Sequence, residues 1–385
     1  MSADAHFRLQ FIVFALVSAA FTNIYITQPV LPILQKEFSV DLVWVSMSVS
    51  AVIFGIAISN LPFGFLADRL PIVPIILIGG IMVATGGLVC AVTHQFWILI
   101  GARFFQGIFV PSLTTCLAAY LAKTLPAKRL NVVMGSYVSA TVLGGLCSRL
   151  LGGWIHPPLH WRYAFVSASV LTLIATYAAV RGLPKQTKSS DTNRDNVRFL
   201  GLIRRVELLR IYLCAAGSFA IFSSVFNYLP FRLAGSPFYF STQMTTILYL
   251  SYIVGIFIGP TTGRISNRFG SGPTLLVGSG VLGGALALLL LPYTAAVIVG
   301  LIGTCTGFFT IHAAAVGCLN RKLTSGQGRA NALYVLFYYL GGWLGITISG
   351  LLYELGGWSL MVSVMLLLLL LPIGTGYFER KAGKS

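Results

Sequence analysis

The sequence predicts an all-α membrane protein: twelve transmembrane helices in two pseudo-symmetric six-helix bundles. Three observations lead there. Only 9% of the 385 residues are Asp, Glu, Lys or Arg and 56% are hydrophobic, whereas a soluble domain carries about 25% charged residues. Twelve apolar runs approach the length, about 20 residues, that a helix needs to cross a bilayer. Short motifs recur between the two halves of the chain at an offset of about 200 residues. A soluble fold of this size has no interior large enough for so much apolar side chain. A soluble enzyme, a disordered chain and a secreted disulfide scaffold are thereby excluded.

The runs cover 9–34, 42–66, 72–93, 96–120, 131–153, 162–182, 208–231, 243–263, 273–292, 294–319, 331–353 and 358–378. Continuous hydrophobicity without strict alternation specifies helices rather than a barrel. Pro29, Pro32, Pro62, Pro111, Pro230 and Pro260 fall within or near span ends, where neighbouring helices satisfy the freed carbonyls. The first run is too long for a signal-peptide core and has no small-residue cleavage site after it.

Basic residues set the orientation. With the N-terminus inside, only Lys36, Arg162 and Arg232 fall outside, Arg103 and Arg149 lie within spans, and the remaining 21 are cytoplasmic. Both termini are therefore expected in the cytoplasm. Because these charges sit in short connectors, the net +17 indicates topology rather than nucleic-acid binding. The one long polar connector, 183–207, separates an N-terminal bundle (1–182) from a C-terminal bundle (208–385), and its later part is expected to form a short interfacial helix. The six cysteines lie in or beside apolar runs without paired spacing and read as small buried hydrophobes.

The repeat is carried by three pairs. Gly64-Phe-Leu-Ala-Asp68-Arg69 after span 2 matches Gly263-Arg-Ile-Ser-Asn267-Arg268 after span 8. Gly107-Ile-Phe109 matches Gly307-Phe-Phe309, and Arg129-Leu-Asn131 matches Arg329-Ala-Asn331; span 4 thus corresponds to span 10 and span 5 to span 11. Duplicated halves imply a binding site between them near the midplane.

These residues carry a resemblance. Gly64-x-Leu-Ala-Asp68-Arg69 resembles the motif between helices 2 and 3 of the major facilitator superfamily. Arg103-Phe-Phe-Gln106-Gly107 resembles its RxxQG motif of helix 4. Gly135-x8-Gly144 with Gly152-Gly153 is similar to the helix-5 motif of drug:proton antiporters. Tyr25-Ile-Thr-Gln28-Pro29, Phe226-Asn227-Tyr228-Leu-Pro230-Phe-Arg232, His312 and Tyr338-Tyr339-Leu-Gly341 look like the bacterial arabinose efflux permease-like branch. The chain departs from these patterns in two places. Leu70-Pro71-Ile72-Val73-Pro74 replaces the glycine and basic residues that usually end the first motif, and Ser148-Arg149 replaces the Gly-Pro pair of the helix-5 motif. The resemblance implies a gating role for Asp68, with Arg69, Asn267 and Arg268 at equivalent ends. Asp68 is expected to face the dipole-positive N-terminus of span 11 near Asn331.

Arg103 and Arg149 are the sharpest chemical signals, because a guanidinium stays charged and is costly in hydrocarbon. None of the nine acidic residues lies mid-span. Three roles remain open for the arginines: reaching the outer interface with carbonyl partners, proton coupling (which the resemblance implies for Arg103), and attraction of an anionic substrate. His312 is the sole histidine well inside a span. An imidazole titrates near physiological pH, so it is the expected proton carrier, against the plainer reading of a neutral histidine bonded to a carbonyl. Tyr25, Gln28, Gln106, Asn227, Tyr228, Tyr249, Tyr252, Tyr334 and Tyr338 are read as cavity lining with aromatic walls, which suits an amphipathic or neutral ligand. Packing between helices is the alternative for each.

Gly278-Ser-Gly280-Val-Leu-Gly283 matches a dinucleotide fingerprint but follows no strand. Gly303-Thr-Cys305-Thr-Gly307 imitates a nucleophile elbow without a strand or base. With no nucleotide motif, cofactor, metal site or catalytic cluster expected, energy comes from an ion or substrate gradient. By resemblance, the expectation is a monomeric inner-membrane transporter that exports small organic molecules by proton antiport and alternating access. Uptake or exchange of a sugar or organic anion, and lipid handling, are the alternatives.

Overall fold

The computed structural model describes residues 3–183, 199–323 and 325–382. Every regular element among them is helical: α1 (Ala3–Thr22), α2 (Leu31–Phe38), α3 (Leu42–Arg69), α4 (Ile72–Val92), α5 (Phe96–Leu113), α6 (Thr115–Thr124), α7 (Ala127–Ile155), α8 (Arg162–Gly182), α9 (Phe199–Arg204), α10 (Val206–Ala234), α11 (Thr242–Leu248), α12 (Val254–Phe269), α13 (Ser271–Leu289), α14 (Thr294–Arg321), α15 (Gln327–Leu368) and α16 (Leu370–Ala382). Ten helical runs among the described residues are long and apolar enough to cross a membrane, and Phe7–Thr22 is a shorter apolar helix. Most of the expected linker lies outside the described residues; its later part holds the short α9.

The breaks follow from proline and glycine chemistry. Pro29 cannot donate to the Tyr25 carbonyl, nor Pro32 to that of Gln28. Helical bonding therefore cannot run unbroken through 25–32; α1 ends at Thr22, and a single 3₁₀ turn, Gln28–Val30, leads into α2. The run Gln327–Ala382 is interrupted at Gly356 and Gly357, where Gly357 takes φ +64°, a conformation that a Cβ would strain. A further break at Leu369 is not among the sequence expectations. Pro372 accounts for it, because it cannot donate to the Leu368 carbonyl.

The chain divides into two compact units, Met1–Ser39 with Met47–Asn193, and Val40–Ser46 with Arg194–Ser385. In the first, α1 packs on α7 and α8, and α4 on α5 and α8. In the second, α10 packs on α15 and α16, and α13 on α14 and α16. Shifted by about 200 residues, these are the same pairings, so the motif repeat has a counterpart in packing. The exterior of each unit is apolar: Val92 is 71% exposed, Ile174 61% and Leu367 65%. The interior carries the polar groups, including Asn23, Arg103, Gln106, Arg149 and Asn227. Lipid-facing helices have this inverted distribution because hydrocarbon solvates apolar side chains and excludes charge.

Candidate functional site

In the first unit the site is built around the broken helix. Unwinding between Thr22 and Gln28 leaves carbonyls without intrahelical partners, and in a membrane interior each must be satisfied by the protein. Arg103, on α5 and fully buried, supplies most of the donors. Its Nε donates to the Ser48 carbonyl at 2.7 Å, Nη1 to the Asn23 carbonyl at 2.7 Å and Gln106 Oε1 at 2.6 Å, and Nη2 to the Ile24 carbonyl at 2.6 Å. A planar fork can reach several carbonyls at once; an ammonium cannot. Gln106 Nε2 donates in turn to the Val83 carbonyl at 3.0 Å, and Asn23 Nδ2 to Thr172 Oγ1 at 2.8 Å.

Ser148 and Arg149 hold the next stretch of the break. The Ser148 hydroxyl donates to the Thr22 carbonyl at 2.6 Å and accepts from the Tyr25 N–H at 3.0 Å. Arg149 Nε donates to Gln28 Oε1 at 2.7 Å, and its Cζ lies 4.0 Å from the centre of the Tyr25 ring. Both arginines are buried in the protein, and backbone carbonyls are among the acceptors of each, Arg149 Nη1 donating to the Gly145 carbonyl at 2.7 Å. The two residues that depart from the antiporter motif are the ones that fasten Tyr25 and Gln28.

Beyond the break, α2 is tied down by Glu37. Its carboxylate accepts from Trp161 Nε1 at 2.5 Å and Arg162 Nη1 at 2.6 Å, while Arg162 Nη2 donates to the Thr93 carbonyl at 2.9 Å. Partial burial alone would raise the Glu37 pKa. The hydrogen bonds from Trp161 and Arg162, the Arg162 charge and His160 outweigh it and hold the carboxyl below its ordinary range. A folded pKa below the unfolded one gives stability that is full above the unfolded value, about 4.3, and lost as pH falls through the folded value. Acid titration of thermal stability is therefore expected to show a loss starting near pH 5, diminished in Glu37→Gln; identical acid limbs would refute the clamp.

The second unit presents an aromatic cluster around a histidine. His312 on α14 lies with Nδ1 3.0 Å from the Tyr334 hydroxyl and its ring 5.9 Å from Phe308 and 5.2 Å from Tyr338. Tyr338 stacks on Phe219 at 3.8 Å, and the Tyr252 ring is 5.3 Å from both Phe222 and Phe226. Asn227, fully buried, makes no side-chain hydrogen bond among the described residues. Tyr228 and Tyr249 are committed to backbone: the Tyr228 hydroxyl donates to the Ile346 carbonyl at 2.7 Å and that of Tyr249 to the Phe226 carbonyl at 3.2 Å.

At the helix ends, Asp68 pairs with Lys123 Nζ at 2.6 Å within its own unit. Asn267 accepts from Arg321 Nη1 at 3.3 Å, the equivalent position in the repeat. Arg69 and Arg268 are exposed, the latter 5.2 Å from the Phe269 ring.

The sequence pattern of the Major Facilitator Superfamily matches residues 13–325. The chain belongs to this superfamily. It is a multi-pass membrane transporter. It is 27% identical over 379 residues to the uncharacterized MFS-type transporter YybF of Bacillus subtilis, covering 97% of this chain and 94% of that protein. It is 26% identical to the inner membrane transport protein YnfM of Escherichia coli, covering 97% and 91%. A bacterial homolog of the human lysosomal transporter Spinster, inward-facing and occupied, superposes with a TM-score of 0.78 at 15% identity over 100% of this chain and 98% of that one. The human organic anion transporter MFSD10 gives a TM-score of 0.71 at 18% identity, over 98% and 100%.

Seen as a facilitator fold, the predicted residues sort into two groups. Arg103, Gln106, Arg149, Gln28 and Tyr25 are brought together at the helix-1 break, and His312, Tyr334, Tyr338 and Tyr252 in the aromatic cluster. Sequence reasoning did not single out Asn23 or Ser48 as partners of Arg103, nor Lys123 and Arg321 as partners of Asp68 and Asn267. Asn23, polar and close before two prolines, was the available signal.

Proposed function

We propose that this superfamily member is a proton-coupled exporter of small organic or amphipathic molecules. On this reading it crosses the bacterial inner membrane twelve times in two six-helix bundles, keeps both termini cytoplasmic and works by alternating access. Within the count, α1 with α2 forms the first crossing, and the turn at Gly356–Gly357 divides the last long run into two. Counted in this way, the ten long apolar runs give twelve crossings. The observation that carries the coupling is the His312–Tyr334 pair, an imidazole bonded to a hydroxyl within the apolar runs 294–319 and 331–353, which hold no acid. A proton taken up on that imidazole places a charge beside the faces of Phe308 and Tyr338, which stabilise a cation through their quadrupoles. The drug:proton antiporter branch is favoured by the helix-5 glycines.

The test is dye accumulation by cells expressing the protein, with and without a protonophore. Energised cells are expected to exclude the dye, and the protonophore to abolish exclusion. His312→Gln is expected to flatten the pH dependence of transport while leaving folding intact. An unaltered pH profile would remove His312 from the mechanism. Uptake or exchange of an organic anion is the second reading. It is favoured by the Arg103 charge, whose hydrogen bonds all go to neutral oxygens. Energised accumulation of a carboxylate substrate, rather than dye loss, would select it.

A further inference from the structure

Where α12, α14 and α16 of the second unit end, a cavity of about 450 Å³ opens among Phe269, Ser271, Arg321, Lys322, Glu379 and Arg380. Its charge is unbalanced. Glu379 is engaged by Lys322 Nζ at 2.9 Å and by the Cys318 thiol at 3.3 Å. Arg321 and Arg380 form no ion pair among the described residues. The Arg321 guanidinium is oriented by neutral acceptors only: Asn267 Oδ1 at 3.3 Å, Ser266 Oγ at 3.0 Å and the Ser271 hydroxyl. These bonds fix its direction against the first turn of α13 without discharging it.

Two further features specify what the cavity takes. Glycine lets the chain come close: a Cβ on Gly272 would lie 2.3 Å from the Arg380 N, so the end of α16 rests on the N-terminal turn of α13. Arginine charge and the partial positive charge of a 19-residue helix add on the same spot. One side of the wall is apolar and outward-facing: Phe269 lines the cavity and is 61% exposed. A soluble anion gains nothing from that ring, whereas a lipid packs its glycerol and acyl chains on it.

We propose that this cavity holds the phosphate of an anionic phospholipid headgroup, clasped by Arg321 and Arg380 with Phe269 against the lipid body. Among the described residues the first unit does not repeat this set of charges. Its α3–α4 turn is Leu70-Pro71, and the nearby Lys123 is spent on Asp68. One tight site per chain is therefore expected.

Native mass spectrometry of the full chain in mild detergent tests this with phosphatidylglycerol, phosphatidylcholine and inorganic phosphate as separate probes. The expected result is a single retained phosphatidylglycerol that phosphatidylcholine does not replace. Its affinity should fall about tenfold for each arginine removed in Arg321→Gln and Arg380→Gln, stay unchanged in Arg264→Gln, and be largely kept in Arg380→Lys. Because Arg321 also orients its neighbours, Arg380→Gln alone, on an exposed side chain, keeps the test valid if the first variant does not fold. Equal retention of both lipids, or phosphatidylglycerol retention unchanged in Arg380→Gln, overturns the site. Inorganic phosphate binding with comparable affinity and the same arginine dependence overturns the lipid as its occupant.

Discussion

Exchanging Arg103 for leucine is expected to destabilise the first unit by about 3–5 kcal/mol, the cost of leaving several buried oxygens without donors. The side chain makes four hydrogen bonds, three of them to backbone carbonyls of Asn23, Ile24 and Ser48. Leucine fills similar space but leaves those oxygens without donors, at about 1–3 kcal/mol for each buried acceptor. Some relaxation, or a water entering, keeps the total below the sum. Arg103→Lys separates two roles. A lysine has three donors on one nitrogen and cannot span carbonyls that the planar fork reaches from three. If Arg103 is a cap, Arg103→Lys lowers thermal stability substantially while the pH profile of residual transport stays in place. If it carries the coupled proton, Arg103→Lys keeps stability and shifts the profile. Thermal unfolding in detergent, paired with transport at several pH values, decides. A leucine variant that melts with the wild type would eliminate the capping role.

This pair of outcomes shows why the site was only half legible in the sequence. Spans were readable because hydrocarbon imposes one requirement on every residue facing it, and twenty apolar letters record it directly. The repeat was readable for the same reason: equivalent glycines and helix-end charges sit at one offset, and the α4–α5 and α13–α14 pairings follow them. Arg103 and Arg149 were conspicuous as charges, but most of the Arg103 acceptors are backbone carbonyls, which no letter marks. Two of them, Asn23 and Ile24, lie in the break of helix 1 that precedes Pro29 and Pro32, so the informative signal was the combination of proline, preceding polar residue and distant arginine. Gln106, Tyr228 and Tyr249 were read as cavity walls because polar aromatic stripes look alike whether they face a ligand or a neighbouring helix. Their hydrogen bonds to the Val83, Ile346 and Phe226 carbonyls are again partners that no letter marks. Lys123 was counted only as a topological charge, since nothing in sequence brings it to Asp68, 55 positions away.

Gly152→Ala is expected to cost at least about 2 kcal/mol, within the range for overpacking, although alanine is the better helix former. A Cβ at Gly152 would stand 1.9 Å from the Ile26 carbonyl oxygen, and one at Gly144, two turns earlier on α7, 2.5 Å from that of Ser18. Neither obstacle is a side chain that could swing away. The broken helix 1 would have to lift from α7, drawing Tyr25 from Arg149 and the Thr22 carbonyl from Ser148. The second unit repeats the arrangement with different letters, since Cβ atoms at Gly341 and Gly345 would meet the Ala216 and Ala220 backbone at 2.3 Å and 2.6 Å. Close backbone approach through small residues is how membrane helices gain van der Waals contact, so Gly341→Ala should be costly as well. Gly135, from the same helix-5 motif, supplies the control. A Cβ there meets nothing within 4 Å, and alanine is expected to add about 0.5–1 kcal/mol through helix propensity. The three variants differ by the same single methyl group on a long helix, so their melting temperatures isolate the effect of backbone contact. Should Gly152→Ala melt as high as Gly135→Ala, helix 1 does not rest on α7 as described, and the clasp formed by Ser148, Arg149 and Arg103 loses the surface that holds it in register.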